Sequence, residues 1–342
     1  MIEEEYIKDE GLIVEKFQEI KKYIPLTITD ILNMKLPKDP FLVEGLIPHR
    51  SITVIAGKPG SYKSWTLLHL AKCVASGKPM FGKFKTKRGG VLLIDGETGI
   101  DEIQKRVKLM KFRRKTPIDV FSLRGIKVDN PRDLNEILEL VKAKRIELVI
   151  LDPFGTIHSK IENSAEDMQK VMEAFQKIVL NGATVVFVHH HRKGIEADRL
   201  NPSQSVRGSS VILDRPDSHL EVKKEKETQT EIILTISQRK SRKGRIVSPF
   251  QVRMMETDGK VFFEFVGEHD EERIKLDGEK KQVLGALKEL KKAGVDDLYK
   301  KLDGAIGKNR LGEILKELKS EGKINSKKVE HGKEVFWIKE NI

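Results

Sequence analysis

The sequence holds a single cysteine, Cys73. One thiol excludes an internal disulfide and a cysteine-built zinc site. No apolar run approaches the roughly 20 residues that span a bilayer. The opening MIEEEYIKDE is acidic and lacks the apolar core of a secretory signal. A soluble, cytoplasmic protein without a membrane partner is expected. There is no internal repeat and no low-complexity tract.

Positive charge is abundant. The formal net charge is +12 over 342 residues, with a pI near 9.4. Such an excess favours a polyanionic partner, nucleic acid before a membrane surface. The alternative is a lysine-rich solvated surface. Hydrophobic residues make up 38%, enough for a sizeable core. The length suits one large α/β domain plus a small one.

The chain divides by composition. Residues 1–40 are charged, end in Pro37 and Pro40, and read as an arm. Residues 41–266 alternate short β-rich apolar runs with longer amphipathic stretches, the pattern of a sheet flanked by helices. Strands are expected at Ser51–Ala56, Gly90–Asp95, Glu147–Asp152 and Thr184–His189. These four are nearly continuous apolar runs, as for strands buried on both faces. Further strands are expected at His219–Lys223, Glu231–Ser237 and Val261–Phe265. The clearest helix runs from Ser164 to Val179, with Met168, Val171, Met172, Phe175 and Ile178 on one face. The charged stretch 267–279 reads as a linker, and 280–342 as a separate module.

The segment from Ile52 to Ser64 carries chemistry. A β-rich run enters Gly57-Lys58-Pro59-Gly60-Ser61-Tyr62-Lys63-Ser64, and a helix pattern follows from Trp65. This is the spacing of a Walker A phosphate loop, with Tyr62 where the pattern has glycine. Successive backbone N–H groups and a helix N-terminus form an anion cradle. Lys63 is placed to reach β- and γ-phosphates, and the Ser64 hydroxyl to hold Mg²⁺. Gly57 and Gly60 allow the backbone to wrap. ATP and Mg²⁺ are the expected ligands, with residues 57–65 as the binding segment.

Leu148–Asp152 is an apolar run ending in a carboxylate, placed two strands after the loop. Asp152 is the expected metal carboxylate. Val91–Asp95, followed by Gly96 and Glu97, supplies two more acids. Hydrolysis needs a group that orients the attacking water. Glu97 is the candidate and Asp95 the alternative. Thr184–His191 ends in three histidines, one of which is suited to sense the γ-phosphate. Adjacent histidines on a strand point to opposite faces, which argues against a shared zinc ion.

Taken together, the segments 56–65, 92–97, 148–158, 185–194, 205–220 and 234–244 resemble the RecA-like ATPases related to the RepA and DnaB hexameric helicases. The resemblance covers about 190 residues, in that family's order. It implies an α/β fold: a RecA-like P-loop NTPase core with a largely parallel sheet. It implies Lys63 and Ser64 on phosphate and Mg²⁺, Glu97 as catalytic carboxylate, Asp152 on the metal and His190 as the polar sensor. It also implies Arg207 as an arginine finger to a neighbouring subunit, with Lys240 and Arg242 reaching across the same interface. A finger in trans implies a homo-oligomer, usually a ring of six. Arg207 has an alternative as a turn cap, and Lys240 and Arg242 as contacts to DNA phosphates.

In the last module, helix spacing at Lys280–Lys291, Val295–Leu302 and Asn309–Leu318 precedes two strands at Lys323–Lys328 and Lys333–Ile338. Glu330-His331-Gly332 is a hairpin signal. Three helices and a hairpin look like a winged helix, whose third helix often enters a DNA groove. Lys308, Arg310, Lys316 and Lys319 lie on or beside that helix, and Lys327, Lys328 and Lys333 on the wing. Docking to protein is the alternative. A ring-forming, ATP-driven DNA motor is therefore expected, holding single strands in its channel and possibly a duplex at the winged helix. The second expectation is an ATPase switch that loads or regulates other proteins without unwinding.

Overall fold

The computed structural model describes residues 25–34, 39–190, 209–269, 271–328 and 334–339. The chain forms two compact units, Met1–His269 and Asp270–Ile342.

The first unit is built on a nine-stranded sheet. Its strands are β3 Ile52–Gly57, β4 Gly90–Asp95, β5 Ile118–Ser122, β6 Ile146–Asp152, β7 Thr184–His190, β8 Ser218–Glu227, β9 Glu231–Ser241, β10 Phe250–Thr257 and β11 Lys260–Glu268. Their spatial order is β11-β10-β9-β8-β3-β7-β6-β4-β5. From β8 to β5 every pairing is parallel. β9, β10 and β11 extend the sheet as antiparallel hairpins. A small hairpin of β1 Phe41–Val43 and β2 Ile47–Pro48 precedes the sheet and buries Leu42, Val43, Leu46 and Ile47.

The central strands separate two cores by strict alternation. Val91, Leu93, Leu148, Ile150, Val186 and Val188 pack with α2 (Lys63–Ser76). Leu92, Ile94, Val149, Leu151, Val185 and Phe187 pack on the other face with α4 (Pro131–Ala143) and α5 (Ala165–Leu180). Double burial explains why these strands read as unbroken apolar runs. α4 starts at an Asn130 cap with Pro131 in its first turn, and α5 at a Ser164 cap that accepts from Asp167 N. Of the expected arm, residues 25–34 hold a short helix, α1 (Ile28–Asn33), whose residues are exposed. α3 (Ile100–Leu109) follows β4, and α6 (Val211–Asp214) precedes β8.

Of the stretch expected to be a linker, 267–279, most described residues lie in regular structure. β11 continues to Glu268, and α7 runs from Glu271 to Leu290. Glu and Lys favour a helix as readily as a solvated loop, so composition alone did not separate the two. α7, α8 (Val295–Lys301) and α9 (Lys308–Ser320) enclose Val283, Leu287, Leu298, Leu311, Ile314, Leu315 and Leu318. The hairpin of β12 (Ile324–Lys328) and β13 (Glu334–Ile338) closes this core with Phe336. The hairpin signal at 330–332 lies outside the described residues. Among the described residues no helix is long and apolar enough to cross a membrane.

Candidate nucleotide site

Parallel strands place all their C-terminal ends on one edge of the sheet, here the exit edge, and all their starts on the opposite, entry edge. Parity then fixes which face each end residue takes. Asp95, Asp152 and His190 fall in step with Leu93, Ile150 and Val188, on the face that carries α2. Asp95 pairs with Asp152 across β4 and β6, and His190 pairs with Gly57 across β7 and β3. The structure thus gathers Asp95, Asp152, His190 and the loop 57–64 at one corner. His189 takes the other face: it is buried, its ring lies 5.5 Å from Phe154, and its Nε2 is 3.7 Å from Glu162.

The loop leaves β3 at Gly57. A Cβ there would run into the Val222 carbonyl and sit 2.8 Å from Ser61 Oγ. The tip Lys58-Pro59-Gly60 is exposed, whereas Ser61 and Lys63 are buried. Lys63 Nζ donates to the Gly57 carbonyl at 2.9 Å, the Lys58 carbonyl at 2.7 Å and Ser61 Oγ at 3.3 Å. Its ammonium thus rests on the inside of the loop. Burial pushes its pKa down to about 8, while Asp152 and Glu97 pull the other way. Asp152 is the converse case. Burial raises it to about 6, opposed by a hydrogen bond from Ser64 and reinforced by Asp95 and Glu97.

Tyr62 holds φ 62° and ψ 26° at the cap of α2, the left-handed conformation natural to glycine. The fold keeps the loop's backbone shape although the side chain is wrong for it. Tyr62 Oη donates to the Glu227 carboxylate at the end of β8. Lys224 Nζ lies 5.8 Å from the ring centre and pairs with Glu227 at 2.6 Å. Trp65, one turn into α2, packs against the core with the Arg106 guanidinium 5.4 Å from its ring.

Glu97 sits in a turn that Asp95 organises. Asp95 Oδ1 accepts from Glu97 N at 2.9 Å and from Thr98 N at 2.6 Å. Gly96 N donates to the Asp152 carbonyl at 2.8 Å, tying this turn to the neighbouring strand. Asp95 therefore orients the segment that carries Glu97. The Asp-Gly-Glu-Thr order carries that signal, since aspartate commonly accepts from the backbone two residues on.

The other expected residues are less centrally placed. Lys240 Nζ donates to the Leu213 carbonyl at 3.1 Å and to the Asp214 carbonyl, and Arg242 Nη2 to the Asp214 carbonyl at 2.7 Å. Both cap the end of α6 near the entry edge. Arg207 and His191 lie outside the described residues.

The donor set suits a hard cation that keeps most of its water. Asp152 and the Ser64 hydroxyl are adjacent, and Asp95 and Glu97 add negative charge. Among the described residues no three His, Cys, Asp or Glu side chains converge on a metal site of their own. Mg²⁺ fits this arrangement, with phosphate and water completing its shell.

A family model described as an AAA domain matches residues 18–196, the span that carries the loop and the strands β1 to β7. Among solved structures, a KaiC-like protein from the hyperthermophilic archaeon Pyrococcus horikoshii OT3 is similar at 15% identity. That likeness has a TM-score of 0.43 over 67% of this chain and 98% of the other. No curated protein sequence matches this chain.

Proposed function

Since the chain belongs to the AAA-domain family of P-loop ATPases, we propose that it is a ring-forming motor that uses ATP to act on DNA, of the kind the RepA- and DnaB-related helicases represent. The observation that carries the ATPase half is the Lys63 ammonium held inside the loop on the Gly57 and Lys58 carbonyls. Those are exchangeable contacts, and an arriving triphosphate offers stronger, charged acceptors.

In this reading the loop's N–H groups hold the phosphates and Lys63 turns from the loop carbonyls onto the β- and γ-oxygens. Ser64 and Asp152 would hold Mg²⁺, which would supply neutralising positive charge to the phosphates. Glu97, presented by the Asp95-capped turn, orients the attacking water and accepts its proton. His190, beside Gly57, senses the γ-phosphate. Arg207, Lys240 and Arg242 serve a neighbouring subunit, and the latter two would have to leave α6 to do so. The DNA half rests on the chain's positive charge and on the helix–hairpin order of residues 271–338, read as a winged helix.

A second reading, an ATP-dependent switch that loads other proteins, draws on Tyr62. A left-handed tyrosine tied to β8 suits a loop that rearranges slowly. One experiment separates the readings: ATP hydrolysis with and without single-stranded DNA, in the natural protein and in Lys63→Ala. Hydrolysis that DNA stimulates and Lys63→Ala abolishes supports the motor. Hydrolysis indifferent to DNA favours the switch, and no hydrolysis at all defeats both.

A further inference from the structure

The parallel register brings the loops that enter β4, β5 and β6 to the entry edge, away from the nucleotide corner. Because β9 runs antiparallel to β8, with Ser241 opposite Ser218, the β9–β10 connection reaches that edge too. These loops are basic. Residues 77–89 carry Lys78, Lys83, Lys85, Lys87 and Arg88 and no acid. Residues 110–117 carry Lys111, Arg113, Arg114 and Lys115 and no acid. Lys144 and Arg145 lead into β6, and Arg242, Lys243 and Arg245 follow β9. All of these side chains are exposed.

Few carboxylates reach them. Glu147 takes His49 at 2.5 Å and Lys87 at 3.6 Å, Asp119 takes Lys144 at 2.6 Å, and Asp217 takes Arg242 at 3.8 Å. Lys85, Arg88, Arg113, Arg114, Lys115 and Arg245 have no carboxylate partner among the described residues. Complementing helix C-termini accounts for Arg106, Lys108 and Lys142, which lie in last turns. That effect fades beyond the last turn, so it does not explain the loop cations. Nor is this a solubilising surface of mixed sign, because the loops 77–89 and 110–117 carry nine cations and no acid.

We propose that the entry edge of the sheet is a docking face for the phosphate backbone of duplex DNA. From β5 to β9 the edge runs about 30 Å at ~4.8 Å per strand. That matches roughly nine base pairs at ~3.4 Å each. Single strands are held by stacking bases on exposed aromatic rings, and the loops entering β4 and β5 offer none: Phe81 and Phe84 are buried, and Phe112 packs against the core. Surfaces that sit on lipid add an apolar face, and Ile246 is the one large exposed apolar side chain in these loops. The C-terminal unit is less available than its sequence implies. Lys308 is paired with Asp296, Arg310 with Glu279 and Glu313, and Lys319 with Glu334.

The test is fluorescence anisotropy of a labelled duplex of about 30 base pairs, without nucleotide, across a salt series. One variant carries Lys111, Arg113, Arg114 and Lys115 all changed to Gln. A second carries Lys78→Gln, Lys85→Gln and Arg88→Gln, and a control carries Lys105→Gln, Lys170→Gln and Lys260→Gln, three positions outside both the entry-edge loops and the C-terminal unit. Melting curves check that each folds. We expect both edge variants to bind at least about tenfold more weakly, with a shallower salt slope, and the control to bind nearly as the natural chain does. Duplex affinity unchanged in both edge variants, or lost only in the control, overturns the proposal. So does a preference for single strands over duplex, or binding to phosphatidylserine vesicles with none to DNA. Hydrolysis measured without DNA keeps the readings apart, because an inactive protein that still binds duplex through this edge refutes the ATPase readings and leaves the docking face standing.

Discussion

The phenol of Tyr62 donates its hydrogen bond to the carboxylate of Glu227, 165 positions further along the chain. It is the side-chain tie between the phosphate loop and the β8–β9 hairpin. Burial, and then Glu227, push the phenol up to about 12, so it stays a donor throughout the physiological range.

The tie accompanies a backbone penalty. A left-handed tyrosine costs about 1–2 kcal/mol that glycine avoids. Tyr62→Ala keeps that penalty and loses the ring, whereas Tyr62→Gly loses the ring but relieves the backbone. The glycine variant is expected to be more stable than the alanine variant by about 1 kcal/mol in denaturant unfolding. Equal stability, or the reverse order, would show that the backbone at 62 is not strained.

Lys63 makes nucleotide binding a protonation event. Its folded pKa, near 8, lies below the ordinary 10.5 because of burial. The penalty is fully present below pH 8 and is relieved as pH rises towards 10.5. Phosphate contact favours the charged amine, so binding at pH 8.5 takes up a proton that binding at pH 6.5 does not. Calorimetry in buffers of different ionisation enthalpy reads this directly. Identical proton uptake at the two pH values would contradict the assignment.

Asp152 predicts a stabilised but disabled variant. Burial raises its carboxyl to about 6, so the empty site opposes folding increasingly as pH climbs from about 4 to 6. Asp152→Asn removes that charge. It is expected to raise stability by roughly 2 kcal/mol at pH 8 and by little at pH 4, while abolishing Mg²⁺-dependent nucleotide binding. Loss of stability at pH 8 would mean that the carboxylate is compensated in the empty site.

The two flexible glycines of the loop are not equivalent. A methyl at Gly57 collides with the Val222 backbone, whereas one at Gly60 meets nothing within 4 Å and faces only its φ of +73°. Gly57→Ala is expected to cost about 2–3 kcal/mol, and Gly60→Ala about 1 kcal/mol. Thermal melts of the two single variants decide it, and a Gly60 variant that is the worse of the pair would refute this account of the loop.

The parallel half of the sheet was legible because double burial writes an unbroken apolar run, as in β3, β4, β6 and β7. β5 was missed: Ile118–Ser122 is an edge strand, only half buried, and carries Asp119. β10 was missed because Arg253 interrupts its run to pair with Glu231 and Glu264 across neighbouring strands. In the site, the loop and both strand-end acids were readable as motifs. The Asp-Gly-Glu-Thr order signals the capping role of Asp95, whereas the Glu227 tie joins segments too distant for any local pattern. The third-helix cations show how charge balance plays out in space. The module's acids nearly balance its bases in the sequence, and in the fold carboxylates of the same unit take three of these cations.

A sheet whose parallel strands all run one way also sorts its visitors. Each of the parallel strands ends near the nucleotide corner and begins at the edge of the basic loops, a full strand length away. On the proposed docking face, a polyanion seated along the strand starts would leave the nucleotide corner uncovered, so the two sites could fill and empty independently.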